Sequence, residues 1–252
     1  MRTLLWKELL EQWRSYRLLV VVAVLTAVGL LGPLTAKYLP QILGSLPGAP
    51  PGLTGLLPES DARMAVEQYL KNLAQFGVIL AVLVPMAAVA GEKANGTAAV
   101  TLSKPVSRAA FLISKFVSLA ITFALGVFLA ALAGYYYTGL LFQWLPVIGF
   151  LALSGLVLLY LMSYASVTLL ASTIARSQLA AAGMAVGFLA LVGVLGSIRV
   201  LANALPAALI PWGEALGLGL NARPNWAAMG VTLGVIVASV ALSWAAFRRQ
   251  EL

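Results

Sequence analysis

Charged residues fall along this chain so as to leave long, uniformly apolar stretches between them. Nineteen residues (18–36) separate Arg17 from Lys37, and twenty (72–91) separate Lys71 from Glu92. Sixty (116–175) lie between Lys115 and Arg176, twenty-two (177–198) between Arg176 and Arg199, and twenty-four (224–247) between Arg223 and Arg248. A helix crossing a bilayer needs about 20 apolar residues, and a charge at its centre costs about 3 kcal/mol or more. The sixty-residue interval holds two crossings. It divides at Gln143-Trp144-Leu145-Pro146, flanked by Tyr135, Tyr136 and Tyr137, as interfacial aromatics flank a membrane turn. The pattern predicts an all-α integral membrane protein, a single transmembrane domain over 1–252. Its six spans are expected at about 18–36, 73–91, 111–134, 146–172, 178–199 and 225–247. Residues 200–222, with Pro206, Pro211, Gly213, Gly217 and Gly219, read as a broken, re-entrant or surface-lying helix, or equally as a loop.

Composition agrees. The chain is 62% hydrophobic and 10% charged, with mean hydropathy +0.97, more apolar than one water-soluble core of this length accommodates. Cysteine and histidine are absent, which removes disulfides, thiol nucleophiles, zinc sites and imidazole acid–base chemistry. An even number of spans puts both termini on one side. That side carries Arg2, Lys7, Arg14, Arg17, Lys93, Lys104, Arg108, Lys115, Arg176, Arg248 and Arg249, eleven of the sixteen basic residues. Lys37, Arg63, Lys71, Arg199 and Arg223 fall on the other. The positive-inside rule then places both termini in the cytoplasm, and the formal charge of +8 reads as a membrane-surface signature rather than one for nucleic acid.

The segments outside the spans have patterns of their own. In residues 1–17, Trp6, Leu9, Leu10 and Trp13 share one helical face while Lys7, Glu8, Glu11 and Arg14 lie largely elsewhere. This predicts an interfacial helix; a cleaved signal peptide ending at Ala36 is the alternative, disfavoured by the acidic, amphipathic lead-in. The external segment 37–71 opens with Pro40, Pro47, Pro50, Pro51 and Pro58 and is expected to be irregular there. It then becomes a helix capped by Ser60 or Asp61, with Val66, Tyr69, Leu70 and Leu73 on one face. That helix is expected to run into span two, as a gate on the outer face or a cover for the bundle.

The loop between spans two and three, residues 91–116, is the most informative. A helix-compatible piece, Thr97–Leu102, is ended by Pro105. Ser107 stands at the N-cap position of span three, and Arg108 and Lys115 anchor that span's end. Gly91 and Gly96 have phosphate-loop spacing, but Thr97 stands where the lysine belongs and no strand precedes it, so nucleotide binding is not expected.

The motif Glu92, Gly96-Thr97, Leu102-Ser103-Lys104-Pro105-Val106-Ser107-Arg108 and Lys115 resembles the permease subunits of ABC-2 type transporters. The basic amphipathic start from Trp6-Lys7-Glu8-Leu9 to Arg17 and the six-span layout extend the likeness over the whole chain. The resemblance implies an export permease in a bacterial or archaeal cytoplasmic membrane. It implies pairing with a second copy, homodimer or heterodimer, and separate ABC ATPase subunits that hold ATP and magnesium, leaving this chain without cofactor, metal or catalytic residue. It also implies a coupling loop at 92–108 that docks on the ATPase, with Glu92 in ionic contact with that partner, Gly96, Thr97, Leu102 and Ser103 in the coupling element, and Pro105 and Arg108 setting its angle.

Within the spans no mid-span charge is apparent, which disfavours ion-coupled transport and intramembrane hydrolysis. Tyr160, Tyr164 and Thr168 lie at i, i+4, i+8 in span four. They suggest a pathway lining for an amphipathic substrate, or interhelical hydrogen bonding, the commoner use of such residues. Gly183/Gly187 and Gly230/Gly234 have the G-x-x-x-G spacing of close helix pairs. Two other classes remain open: a membrane scaffold or assembly subunit without transport, and an intramembrane enzyme.

Overall fold

The computed structural model describes residues 2–45, 60–97 and 107–250, and every regular element among them is helical. Helix α1 (Arg2–Arg14) meets α2 (Arg17–Gly44) at a corner where Tyr16 adopts φ 59°. This left-handed conformation costs a non-glycine residue roughly 1–2 kcal/mol, and it reverses the chain so that α1 returns against the bundle. Then follow α3 (Ala62–Leu83), a 3-10 turn at Pro85–Ala87, α4 (Ala90–Ala94), α5 (Arg108–Leu141), α6 (Val147–Ile174) and α7 (Gln178–Gly196). After α7 come α8 (Arg199–Ala202), a second 3-10 turn at Pro206–Ala208, α9 (Leu209–Gly217) and α10 (Trp226–Arg248). Six stretches are long and apolar enough to cross a membrane: Arg17–Ile42, Ala62–Ala94, Arg108–Leu141, Val147–Ile174, Gln178–Gly196 and Trp226–Arg248. The charge-free intervals therefore locate all six.

Local chemistry explains several ends. Asp61 caps α3 by accepting from Met64 N at 2.8 Å, and Ser107 caps α5 by accepting from Ala110 N at 3.1 Å, each satisfying an orphan donor. The face Val66, Tyr69, Leu70 and Leu73 is buried, and α3 runs without a break from the external segment into the second span. Pro40 departs from expectation. It lies inside α2 together with Pro33, because a membrane-type helix loses one hydrogen bond per proline yet keeps its neighbours' packing. Pro47, Pro50, Pro51 and Pro58 lie outside the described residues.

Helix α2 packs on α3 and α5, and α6 is the central helix, touching α3, α5, α7, α9 and α10. Lipid is as apolar as leucine, so contact between these helices rests on close fit more than on escape from water. The small residues are placed accordingly. A Cβ at Gly29 would stand 2.8 Å from Ala130 O, and one at Gly32 would stand 2.7 Å from Tyr69 Cα. Tyr69 itself is fully buried, tilted against Phe150 at 5.3 Å, with its ring crossing the surface of Gly134. Residues 200–222 form the broken-helix alternative. Helix α9 lies on α6 so closely that Gly149 faces the Leu216 carbonyl and Gly217 faces Leu153. The predicted turn at 143–146 is present, closed by Tyr135 Oη donating to Leu145 O at 3.1 Å and by the Tyr135–Trp144 ring contact at 5.6 Å.

Candidate functional site

The end of the bundle that carries both termini holds the densest polar chemistry among the described residues. It begins with α1, whose polarity is inverted relative to a water-facing amphipathic helix. Trp6 and Trp13 are 65% and 55% exposed, while Glu8 and Gln12, one turn apart, are buried against α5. The reason lies in α5, where Lys115, Ser118 and Thr122 form a buried polar stripe in an otherwise apolar helix. Gln12 Nε2 donates to Ser118 Oγ at 2.8 Å, and Thr122 Oγ1 donates to Gln12 Oε1. Like meets like: polar side chains of α1 satisfy polar side chains of α5, and the tryptophans are left for the lipid interface.

One helical turn towards that same end, Lys115 is 2% exposed. Its ammonium donates to Glu8 Oε2 at 3.0 Å and to Glu92 Oε1 at 2.7 Å, and lies 4.8 Å from the Phe111 ring centroid. Lys7 Nζ reaches Glu92 Oε1 at 3.0 Å, Glu8 Oε1 at 3.2 Å and Glu11 Oε2 at 3.2 Å. Burial works to lower the Lys7 pKa, but Glu8, Glu92 and Glu11 outweigh it and hold the ammonium above its ordinary range. The carboxylates of Glu8, Glu11 and Glu92 lie within 4.8 Å of one another, a spacing that could hold a metal ion. Here the two ammoniums stand in the cation's place. The cluster joins α1, the end of the second span and the start of the third.

The Glu92 carboxylate is therefore turned inward to two lysines of its own chain. Its neighbour Lys93 points to other helices. Lys93 Nζ donates to Thr173 O of α6 at 2.7 Å and to Gln250 Oε1 at 3.3 Å, and Gln250 Nε2 donates to the same Thr173 O at 3.0 Å. Ser172 Oγ accepts from Val89 N and Ala90 N at 3.0 Å each and donates to Met86 O at 2.8 Å. It satisfies the backbone groups freed where the second span breaks between its 3-10 turn and α4. Adjacent residues thus tie one loop to two halves of the bundle, Glu92 to α1 and α5, Lys93 to α6 and the segment after α10.

Arg108 holds the remaining corner. Its Nη1 donates to Phe247 O, Arg248 O and Gln250 O at 2.8, 3.0 and 2.9 Å, and the guanidinium lies 5.9 Å from the Phe247 ring centroid. One cation thus caps three carbonyls at and just beyond the end of α10, where helix-terminal oxygens carry partial negative charge. Arg108→Ala is expected to cost about 1–3 kcal/mol and to free this terminus. Amide hydrogen exchange at 247–250 would accelerate while the core of α6 stays protected; unchanged exchange there would refute the capping role.

Of the residues singled out from sequence, Glu92, Thr97 and Arg108 share this end. Thr97 Oγ1 donates to Glu92 O at 3.3 Å. Gly96 has φ +69°, a backbone conformation that favours glycine, and among the described residues nothing lies within 4 Å of an added Cβ. Leu102, Ser103 and Pro105 lie outside the described residues. Tyr160, Tyr164 and Thr168 lie along α6. Tyr160 and Tyr164 meet edge-on at 5.0 Å, Tyr164 meets Phe188 of α7 at 6.4 Å, and Thr168 Oγ1 donates back to Tyr164 O at 2.8 Å. The sequence reading gave Glu8, Gln12, Ser118, Ser172 and Gln250 no role at this end. The signal available was the i, i+3, i+7 run Lys115, Ser118, Thr122 opposite the i, i+4 pair Glu8, Gln12.

Two comparisons bear on this arrangement. A family model described as "ABC-2 family transporter protein" matches residues 2–252. The chain is also 32% identical over 202 residues to "Uncharacterized transmembrane protein YxlG" of Bacillus subtilis (strain 168), covering 79% of this chain and 77% of that protein.

Proposed function

The chain belongs to the ABC-2 family of transporter membrane proteins, and from that premise we propose that it is an export permease driven by ATPase subunits docked at the end where its termini meet. That end is the cytoplasmic one, in agreement with the eleven-to-five basic asymmetry. ABC-2 permeases are membrane transport components that work with ATPase subunits, and here ATP and magnesium would be held by that partner. The cytoplasmic membrane of a bacterium or archaeon is the setting proposed.

The observation that carries the reading is the opposed anchoring of Glu92 and Lys93. The loop at 92–103 is the coupling element. Force applied to it reaches α1 and α5 through the Glu92 carboxylate, and α6 and α10 through Lys93 and Gln250. Glu92 acts as a lever inside the permease, with Gly96, Thr97, Leu102 and Ser103 forming the docking piece. Pro105 and Arg108 set its angle to the third span.

The two permease copies pair through α7. Its Gly183, Gly187 and Gly193 have no atom within 4 Å of an added Cβ, and Leu179 and Val194 are 83% and 68% exposed, leaving a face on which a second helix can approach closely. Tyr160, Tyr164 and Thr168, beside α7, would border the path of an amphipathic substrate between copies.

Co-expression with an ABC ATPase subunit from the same genome, followed by purification and reconstitution, tests the proposal. Gln250→Ala or Lys93→Ala is expected to preserve the complex and its basal ATP hydrolysis while lowering transport several-fold. A complex that transports normally without the Lys93–Gln250 tie would remove the lever, and failure of any ATPase to co-purify would remove the coupling altogether. Substrate-independent ATPase stimulation without flux would mark a scaffold instead.

A further inference from the structure

A groove of about 470 Å³ runs between the start of α5 and the end of α10, and the proposed transport role does not use it. Leu112, Ile113 and Phe116 form one wall and Val237, Val240 and Trp244 the other. From 236 to 244 is eight residues, about 12 Å of helix rise, most of one leaflet's hydrocarbon depth. The lining is carbon almost throughout, so the bundle leaves here a slot sized for a hydrocarbon chain on its outer surface.

The mouth of the slot is cationic. Arg248 lies with its guanidinium carbon 4.7 Å from the centroid of Trp244, a groove-wall residue, and Arg108 precedes the groove residue Ala109. Arg108 Nη1 donates to the Arg248 carbonyl at 3.0 Å, so both walls bring a cation to the same opening. Arg249 follows in sequence, and among the described residues none of these three arginines takes part in an ion pair. An apolar slot below and unneutralised guanidinium groups above have the polarity of an anionic phospholipid, with an acyl chain in the slot and its phosphate at the arginines.

We propose that the α5–α10 groove is a binding site for an anionic phospholipid of the leaflet at the terminal end, with Arg248 its headgroup ligand and Arg108 supporting the same opening. A second copy of this chain is the less suitable occupant, because a two-fold contact through this face would bring both sets of arginines together without a countercharge. A lipid phosphate supplies that charge. Binding here requires neither ATP nor a docked ATPase, so this proposal and the transport reading can fail separately.

The test uses the full chain, purified and delipidated in neutral detergent, with bound lipid counted by native mass spectrometry. Dioleoylphosphatidylglycerol is expected to be retained about ten-fold more strongly than dioleoylphosphatidylcholine, the scale of one or two basic residues acting on an anionic headgroup. Arg248→Gln should reduce that preference several-fold, and Val240→Trp should abolish retention of both lipids by filling the slot. Monodisperse elution and unchanged helical circular dichroism establish that each variant is folded. Should Val240→Trp fail that check, Ala241→Leu fills the same groove with a smaller side chain. Equal retention of the two lipids, or retention that survives groove filling, would overturn the site. Complete displacement of phosphatidylglycerol by inorganic phosphate would reduce it to an anion patch and overturn the lipid claim. Because the chain has no cysteine, Val240→Cys provides a further outcome. Near-complete disulfide dimerisation in lipid vesicles would make the groove an interface between copies and sink the proposal.

Discussion

Lys115→Met is expected to destabilise the terminal end of the bundle by about 3–5 kcal/mol, the cost of removing one partner from a buried charge pair. The ammonium is 2% exposed and stands between Glu8 and Glu92 at 3.0 and 2.7 Å. Without it two buried carboxylates lie within reach of each other, and Lys7, whose side chain is 41% exposed, cannot neutralise both. The loss should appear as a lower midpoint of thermal unfolding in detergent and as early release of α1, read by proteolysis between α1 and α2. The control is the triple variant Glu8→Gln, Glu92→Gln, Lys115→Met. With the countercharges gone, most of the loss should be recovered, since the cost is that of unpaired charge rather than of missing contact area. If Lys115→Met alone unfolds at the wild-type midpoint, the cluster does not hold this end together.

Gly32→Ala is the second large effect, about 1–3 kcal/mol destabilising, with Gly32→Leu costing more. In isolation a glycine-to-alanine change within a helix stabilises by about 1 kcal/mol, so the sign of the result is decided by the neighbour. A methyl at Gly32 would meet Tyr69 N and Cα at 2.8 and 2.7 Å. These are backbone atoms of α3, which cannot rotate aside as a flexible side chain would, so α2 and α3 must separate. Gly183→Ala provides the contrast. Its Cβ meets nothing within 4 Å, so the monomer should be unchanged or slightly more stable, while self-association through α7 weakens. Equal midpoints for Gly32→Ala and Gly183→Ala would show that helix approach at α2–α3 is looser than the geometry requires.

These residues mark how far the sequence could be read. Span number followed from charge spacing, because the penalty for charge in hydrocarbon acts on each residue wherever its neighbours are. Asp61 and Ser107 were legible as caps for a similar reason: a cap is a contact with a backbone N–H three residues away. The amphipathic start of α3 was legible because its face Val66, Tyr69, Leu70 and Leu73 still alternates with polar positions. Deeper in the bilayer that contrast disappears. Lipid-facing and protein-facing sides are both apolar, so periodicity no longer reports which side is buried.

The candidate site shows the same division. Glu92, Gly96, Thr97 and Arg108 drew attention as a motif, but the direction of the Glu92 carboxylate did not follow from it. That direction depends on Lys7, eighty-five positions away, and on Lys115 in the buried polar stripe of α5. Helix α1 was read as an interfacial helix on the strength of its tryptophan face, and the tryptophans are indeed exposed. The burial of its polar face against α5 could not be read from α1 alone, since it takes a second polar surface to make burial of Glu8 and Gln12 favourable.

The sequence by itself determined what each short stretch could do in isolation: which segments tolerate hydrocarbon, where helices start, and that six crossings place both termini together. Those properties depend on interactions within a turn or two of helix, or between a residue and its solvent. Only the tertiary structure decided which partners satisfy Lys115, Lys93 and Arg108, because ion pairs and orphan carbonyls are matched through space between segments far apart in the chain. It also turned the loop at 92–97 from a turn between spans into a brace between two halves of the bundle, as a low-dielectric interior leaves no buried charge without a counterpart.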